Sequence, residues 1–131
     1  MTRFEDQYFQ KFSFDRVQIG RLLKSAKRSL RIAAESRVPE VVFKFSYEAL
    51  IKLGIVAIAR RGYRVRSAPG HHMKILEKLS ELLGDENIVI VGNRMRQVRN
   101  LDLYEGGDSE ITEKESRDYL DFVRSISKKI G

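Results

Sequence analysis

The apolar positions of this chain recur every three to four residues over most of its length, which is the spacing of amphipathic helices. After Asp15, an N-cap residue, Val17, Leu22, Leu23, Ala26, Leu30 and Ala33 mark a first helix to about Arg37. Pro39 suits a first helical turn, so a second helix is expected from there to about Arg61. Val42, Phe45, Ala49, Leu53 and Val56 share one side of it, and Val41, Tyr47, Leu50, Ile51 and Ile58 widen the apolar surface. Helices apolar around most of their circumference lie centrally in a bundle. Gly62 ends this one, with Arg60 and Arg61 placed to suit the negative end of the helix dipole.

Tyr63 to Gly70 reads as a linker, and a third helix follows from His71 to Leu83 with Gly84 as its C-cap. Ile75, Leu76, Leu79, Leu82 and Leu83 form its inner stripe. Asp85 opens a fourth helix, Glu86 to about Asp102, with Ile88, Val91, Met95 and Val98 on one face. Its β-branched start, Ile88 to Val91, has local strand propensity, but a lone strand lacks a partner and helix is preferred. Thr112-x-x-Glu115 is a capping-box pattern for a last helix facing Tyr119, Leu120, Phe122, Val123 and Ile126 inward. Residues 1–14 carry five aromatics (Phe4, Tyr8, Phe9, Phe12 and Phe14) and are expected to form a short helix packed on the domain or a partner. With no convincing strand pair, the expectation is an all-α, antiparallel up-and-down bundle of about five helices. At 131 residues, the chain is expected to be a single domain spanning 1–131.

Composition narrows the chemistry. A chain with 42% apolar and 33% charged residues is expected to be globular, and its longest nearly uncharged run, Leu53 to Ala59, is too short to span a bilayer. No secretory pattern opens the chain, so a cytoplasmic location is expected, with no membrane partner. Without cysteine there is neither a disulfide framework nor a thiol nucleophile. Phosphate-loop, dinucleotide-binding, His-Glu-x-x-His, di-iron and nucleophile-elbow motifs are all missing. His71 and His72 are adjacent, so on a helix they diverge by about 100° and do not chelate together. One packed and one solvated imidazole is expected there, with no metal and no cofactor; a metal-dependent enzyme using this pair is the least supported alternative.

Charge is uneven. Residues 1–66 hold 15 Lys and Arg against 6 Asp and Glu, a net +9, whereas residues 67–131 hold 10 against 12, a net −2. On the first helix Lys24, Arg28 and Arg31, with Arg21 and Lys27, recur three or four residues apart. This stacks like charges that an anionic partner would relieve, or forms a plain solvated face. Arg94, Arg96, Arg99, Asn100, Asp102 and Tyr104 crowd the end of the fourth helix before Gly106-Gly107. Arginines suit phosphate, and a tyrosine stacks on a base or donates a hydrogen bond. The alternative is structural, with Arg99 paired to Asp102 and Asn100 capping the helix.

The order of these motifs resembles the HEPN superfamily (higher eukaryotes and prokaryotes nucleotide-binding domains), over about residues 15 to 130. Arg99-Asn100-Leu-Asp-Leu-Tyr104 matches the family's Arg-x4–6-His motif, often written Arg-Asn, with Tyr104 at the histidine position. Tyr47-Glu-Ala-Leu-Ile51, Arg61-Gly-Tyr63, Gly70-His-His72 and Ile111 to Tyr119 resemble further segments of a subfamily. The resemblance implies a homodimer with its motifs facing across a cleft, binding RNA or a nucleotide. Many members cut RNA without metal, and many are toxins encoded beside a minimal nucleotidyltransferase. It assigns catalytic positions to Arg99, Asn100 and Tyr104, while the charge pattern makes Arg94, Arg96 and Arg99, with Lys24, Arg28 and Arg31, the expected nucleic-acid or nucleotide contacts. A tyrosine, with pKa ~10, is a poor general base at neutral pH, so binding survives the His-to-Tyr change better than cleavage does. A non-catalytic module that pairs with itself or with a nucleotidyltransferase is the competing expectation.

Overall fold

The computed structural model describes residues 3–105 and 111–131, with side chains for all of these except 102–105. Five helices dominate: α1 (Arg16–Glu35), α2 (Pro39–Arg60), α3 (His71–Leu83), α4 (Glu86–Glu105) and α5 (Glu113–Ile130). Two strands, β1 (Phe9–Lys11) and β2 (Tyr63–Val65), pair antiparallel in the register Phe9–Val65, Gln10–Arg64, Lys11–Tyr63. The bundle is all-α in class, with this small sheet attached.

Local chemistry sets the helix ends. The Asp15 carboxylate accepts from the Gln18 N–H at 2.8 Å while the Asp15 N–H donates to the Gln18 side chain, closing a capping box at α1. Thr112 and Glu115 make the same reciprocal pair at α5. Gly84 ends α3 at φ 63°, a left-handed conformation that suits glycine. α1 stops at Glu35, two residues short of expectation, because Ser36 turns extended. α4 continues to Glu105, past the expected Asp102. Its β-branched opening is helical, with Ile88 fully buried: the tertiary contact outweighs the strand propensity.

α2 is central, packing against α1, α3, α4, α5 and β2. Val42, Ala49, Leu50, Leu53 and Val56 are fully or almost fully buried along it. Ala26, Leu30 and Ala33 cover it from α1, Ile75, Leu76 and Leu79 come from α3, and Leu120, Val123 and Ile126 from α5. Two glycines permit close helix approach. A Cβ on Gly54 would overlap Ile75 Cγ2, and one on Gly92 would sit 2.7 Å from Leu76 Cδ2. Val17, expected in the inner stripe of α1, is instead 62% exposed, since it precedes the part of α1 that meets α2.

The sheet corrects the reading of residues 1–14 as a helix and of Tyr63–Gly70 as a plain linker. Strand pairing brings together segments too short to show a two-residue period of their own. Phe9 is buried, and Phe4 stacks on Tyr63 at 4.0 Å between ring centroids. Lys78 of α3, its side chain 3% exposed, lies beneath the Phe4 and Phe9 rings and bonds to Glu81 and the Arg3 carbonyl. Lys74 lies over Tyr8 at 4.4 Å. The aromatic segment thus packs on its own domain, as one of the two expected roles required.

Candidate functional site

Three helices bring Arg99, Tyr47 and His72 together. Tyr47 projects from the middle of α2, His72 from the first turn of α3 and Arg99 from α4. The Tyr47 hydroxyl and His72 Nδ1 are 3.0 Å apart, and the Arg99 guanidinium carbon is 5.8 Å from the Tyr47 ring centroid. The approach of α3 to α2 at Gly54 helps to set this contact. His71, the neighbouring residue, turns elsewhere: its Nδ1 lies 2.9 Å from the Ala68 carbonyl. Both imidazoles are therefore half-buried and hydrogen-bonded, in contrast to the one solvated ring that the sequence predicts.

Burial and positive charge act together on this group. The His72 pKa is pushed down to about 4, chiefly by desolvation, with help from His71, Arg99 and Arg96. The Tyr47 pKa is pushed up to about 12 by desolvation, against a smaller opposing effect of Arg99 and Arg96. At neutral pH both partners are thus uncharged, and one proton lies between the phenol oxygen and Nδ1. When His72 carries its proton on Nε2, the phenol donates; in the other tautomer the ring donates.

These side chains form one wall of a groove of about 620 Å³ that runs along the open side of α2. Val41, Ile51, Ile55 and Ile111 give it an apolar surface, and Glu40, Lys44, Glu48 and Lys52 add charges from α2. The Lys52 ammonium reaches Ser29 Oγ at 3.0 Å, linking this edge to α1.

The sequence-selected residues divide. Arg99 lines the groove. Arg96 is close enough to influence Tyr47 and His72, with its guanidinium held by Asn93 Oδ1 at 3.0 and 3.2 Å. Arg94 is exposed on α4 and Asn100 is half-buried; neither lines the groove. Lys24, Arg28 and Arg31 project to solvent from α1, opposite Ala26, Leu30 and Ala33, and are not gathered at Arg99. The backbone of Tyr104 belongs to α4, but its side chain and that of Asp102 lie outside the described residues, as do Gly106 and Gly107. The Arg99–Asp102 pair and the role of Tyr104 therefore fall outside what the structure describes.

In the sequence Tyr47 reads as part of the apolar surface of α2 and His72 as one of two adjacent imidazoles, and neither is connected there with Arg99. A tyrosine within so apolar a helix looks like core, and no spacing rule connects it with a histidine 25 residues away. Among the described residues, no group of three or more His, Asp or Glu side chains is arranged to hold a metal. No helix of the described residues is long and apolar enough to cross a membrane.

Chemically, the arrangement offers a fixed cation, an aromatic face and a neutral imidazole beside an apolar groove. An arginine over a tyrosine ring keeps its donors available at its edge while its face is held. Comparison with protein-family models, curated proteins and solved structures finds no match to this chain.

Proposed function

We propose that the Arg99–Tyr47–His72 group binds the phosphate of an RNA strand or nucleotide, in the manner of a HEPN-type module. The observation that supports this most is Arg99 set over an aromatic ring at the wall of the groove. Guanidinium donors engage phosphate oxygens in pairs, and a base stacks on an aromatic or apolar wall of such a groove. Arg96 adds positive potential, while Arg94 and the α1 cations Lys24, Arg28 and Arg31 offer contacts for a longer strand.

Binding is favoured over cleavage. A base with pKa near 4 removes a 2′-hydroxyl proton poorly at neutral pH, because proton-transfer efficiency follows basicity. Metal-independent endoribonuclease activity with Asn100 and Tyr104 as accessory groups is thus the lesser part of the reading. Tyr104→His tests it: appearance of metal-independent RNA cleavage would assign that position a catalytic role. A homodimer, a minimal nucleotidyltransferase partner, a toxin–antitoxin role and a cytoplasmic setting complete the proposal, supported by the motif resemblance alone.

The direct test is binding of a labelled RNA oligonucleotide, and of a nucleoside triphosphate, to wild type and Arg99→Ala. Losing a charge-assisted contact costs about 1.5–3 kcal/mol, or roughly tenfold to hundredfold in affinity. Equal affinity of the two proteins for both ligands would refute the site.

A second reading, a non-catalytic self-association module, is favoured by the charge pattern beside the groove.

A further inference from the structure

We infer that the surface where β1 ends is a second binding site, which takes single-stranded nucleic acid by stacking its bases on Phe12 and Phe14. Among the described side chains, every other aromatic ring lies in the core or packs against it; these two do not. They pack on each other instead, with ring centroids 4.6 Å apart and planes tilted by 56°. The register explains their position. Phe12 lies one residue beyond the last pair of the sheet, where its N–H donates to the Gly62 carbonyl at 3.0 Å. Gly62 has no side chain to cover the ring, and a Cβ built there meets nothing within 4 Å. The place across from Phe12 is therefore open.

A fixed guanidinium completes this surface. The Arg64 guanidinium carbon is 4.8 Å from the Phe12 ring centroid, and its Nε and Nη2 both donate to Gln10 Oε1, at 3.2 and 3.0 Å. Aromatic rings and guanidinium planes are flat faces on which any base stacks. The charge around them suits the strand's phosphates. Residues 10–16 and 61–66 hold five cations (Lys11, Arg16, Arg61, Arg64 and Arg66) against one acid, Asp15, a net +4. All five are exposed, and among the described residues none forms an ion pair. The Asp15 carboxylate is engaged in capping α1. Positive charge is thus left for an anionic chain to neutralise. An anionic bilayer fits less well, because it takes up apolar groups that project, whereas Phe12 and Phe14 are half-buried and lean on one another. None of these residues lines the groove, and α2 ends at Arg60, about 20 Å along its axis from Tyr47. The inference does not rest on the phosphate site at Arg99.

The test is fluorescence anisotropy of a labelled oligothymidylate, and of an abasic strand of equal length, with the full chain carrying Arg99→Ala so that the groove lacks its arginine. This protein is expected to bind the oligothymidylate, and adding Phe12→Ala with Phe14→Ala is expected to weaken binding about tenfold or more. Adding Phe12→Leu with Phe14→Leu keeps apolar cover but removes the flat faces, and the same loss is expected. Circular dichroism checks that the helices are kept. The abasic strand is expected to bind more weakly and to be indifferent to either pair of substitutions. No binding to the Arg99→Ala protein, full affinity in the leucine pair, or an abasic strand bound as tightly as the intact one would each overturn the inference. So would phosphatidylserine vesicles that bind through Phe12 and Phe14 while oligothymidylate binding is unaffected by the substitutions. Failure of the Arg99 site is read separately, with a nucleoside triphosphate, which is too short to reach from the groove to Phe12.

Discussion

Burial holds His72 and Tyr47 in their neutral forms, and that is visible in the pH dependence of stability. The folded pKa of His72, about 4, lies below the ordinary 6.5 of the unfolded chain. Between those values the unfolded state binds more protons, so stability is full above pH ~6.5 and declines as pH falls toward 4. The unscreened limit of this shift is about 3 kcal/mol, and solvent screening of a half-buried ring reduces it to about 1–2 kcal/mol. Urea unfolding from pH 7.5 to 4 measures that decline. His72→Phe is expected to flatten this part of the profile. A profile equally steep in the variant would assign the pH dependence to other groups. Tyr47 acts at the opposite end: its folded pKa of about 12 exceeds the unfolded 10, so its contribution is lost as pH rises through that interval.

Among the secondary-structure elements, the contact between α2 and α3 decides whether the site forms, because it sets His72 against Tyr47. Gly54 permits the approach, and the atom its missing Cβ would meet is the Cγ2 of Ile75, a β-branched side chain with little freedom to move. Gly54→Ala gains about 1 kcal/mol of helix propensity but overpacks the crossing, for a net loss of about 1–2 kcal/mol in thermal or urea unfolding. The caps were legible in the sequence because Asp15, Thr112-x-x-Glu115 and Gly84 act on their own local backbone. The sheet was not. Its three-residue strands gain order only from contacts distant in sequence, and Gln10 and Arg64 stand 54 residues apart. The site was half legible for a similar reason. Arg99 stood out in a local cluster of charges, whereas Tyr47 and His72 acquire meaning only when three helices meet. Val17 shows the reverse error, since it fits the helical period of α1 yet lies before the covered part of that helix.

On the scale of the whole molecule, charge is divided between a groove and the exposed face of α1. α1 carries Lys24, Arg28 and Arg31 to solvent, while Arg99 lies at the groove formed with α2 and α3. On the proposed function, a short nucleotide is expected to depend on Arg99 and to be indifferent to the α1 cations, whereas a longer RNA is expected to engage both, with affinity falling as salt rises. Neutralising three phosphate contacts on α1 by alanine lowers the single-strand salt slope by about 2. Measuring that slope for wild type and for the triple variant Lys24→Ala, Arg28→Ala, Arg31→Ala, with a long RNA and with a nucleotide, separates the two surfaces. An unchanged slope with the long RNA would leave the α1 stripe as a solvated face.

The chain has two histidines, so their imidazole resonances form a simple spectrum. The most direct measurement follows the His71 and His72 ring signals by NMR while an RNA oligonucleotide is added to wild type and to Arg99→Ala. Binding at the proposed group shifts His72 more than His71 in wild type, along the same saturation curve as affinity, and this response is lost in Arg99→Ala. RNA that saturates the protein without moving His72, or that moves it equally in both proteins, would contradict a phosphate site at Arg99, Tyr47 and His72.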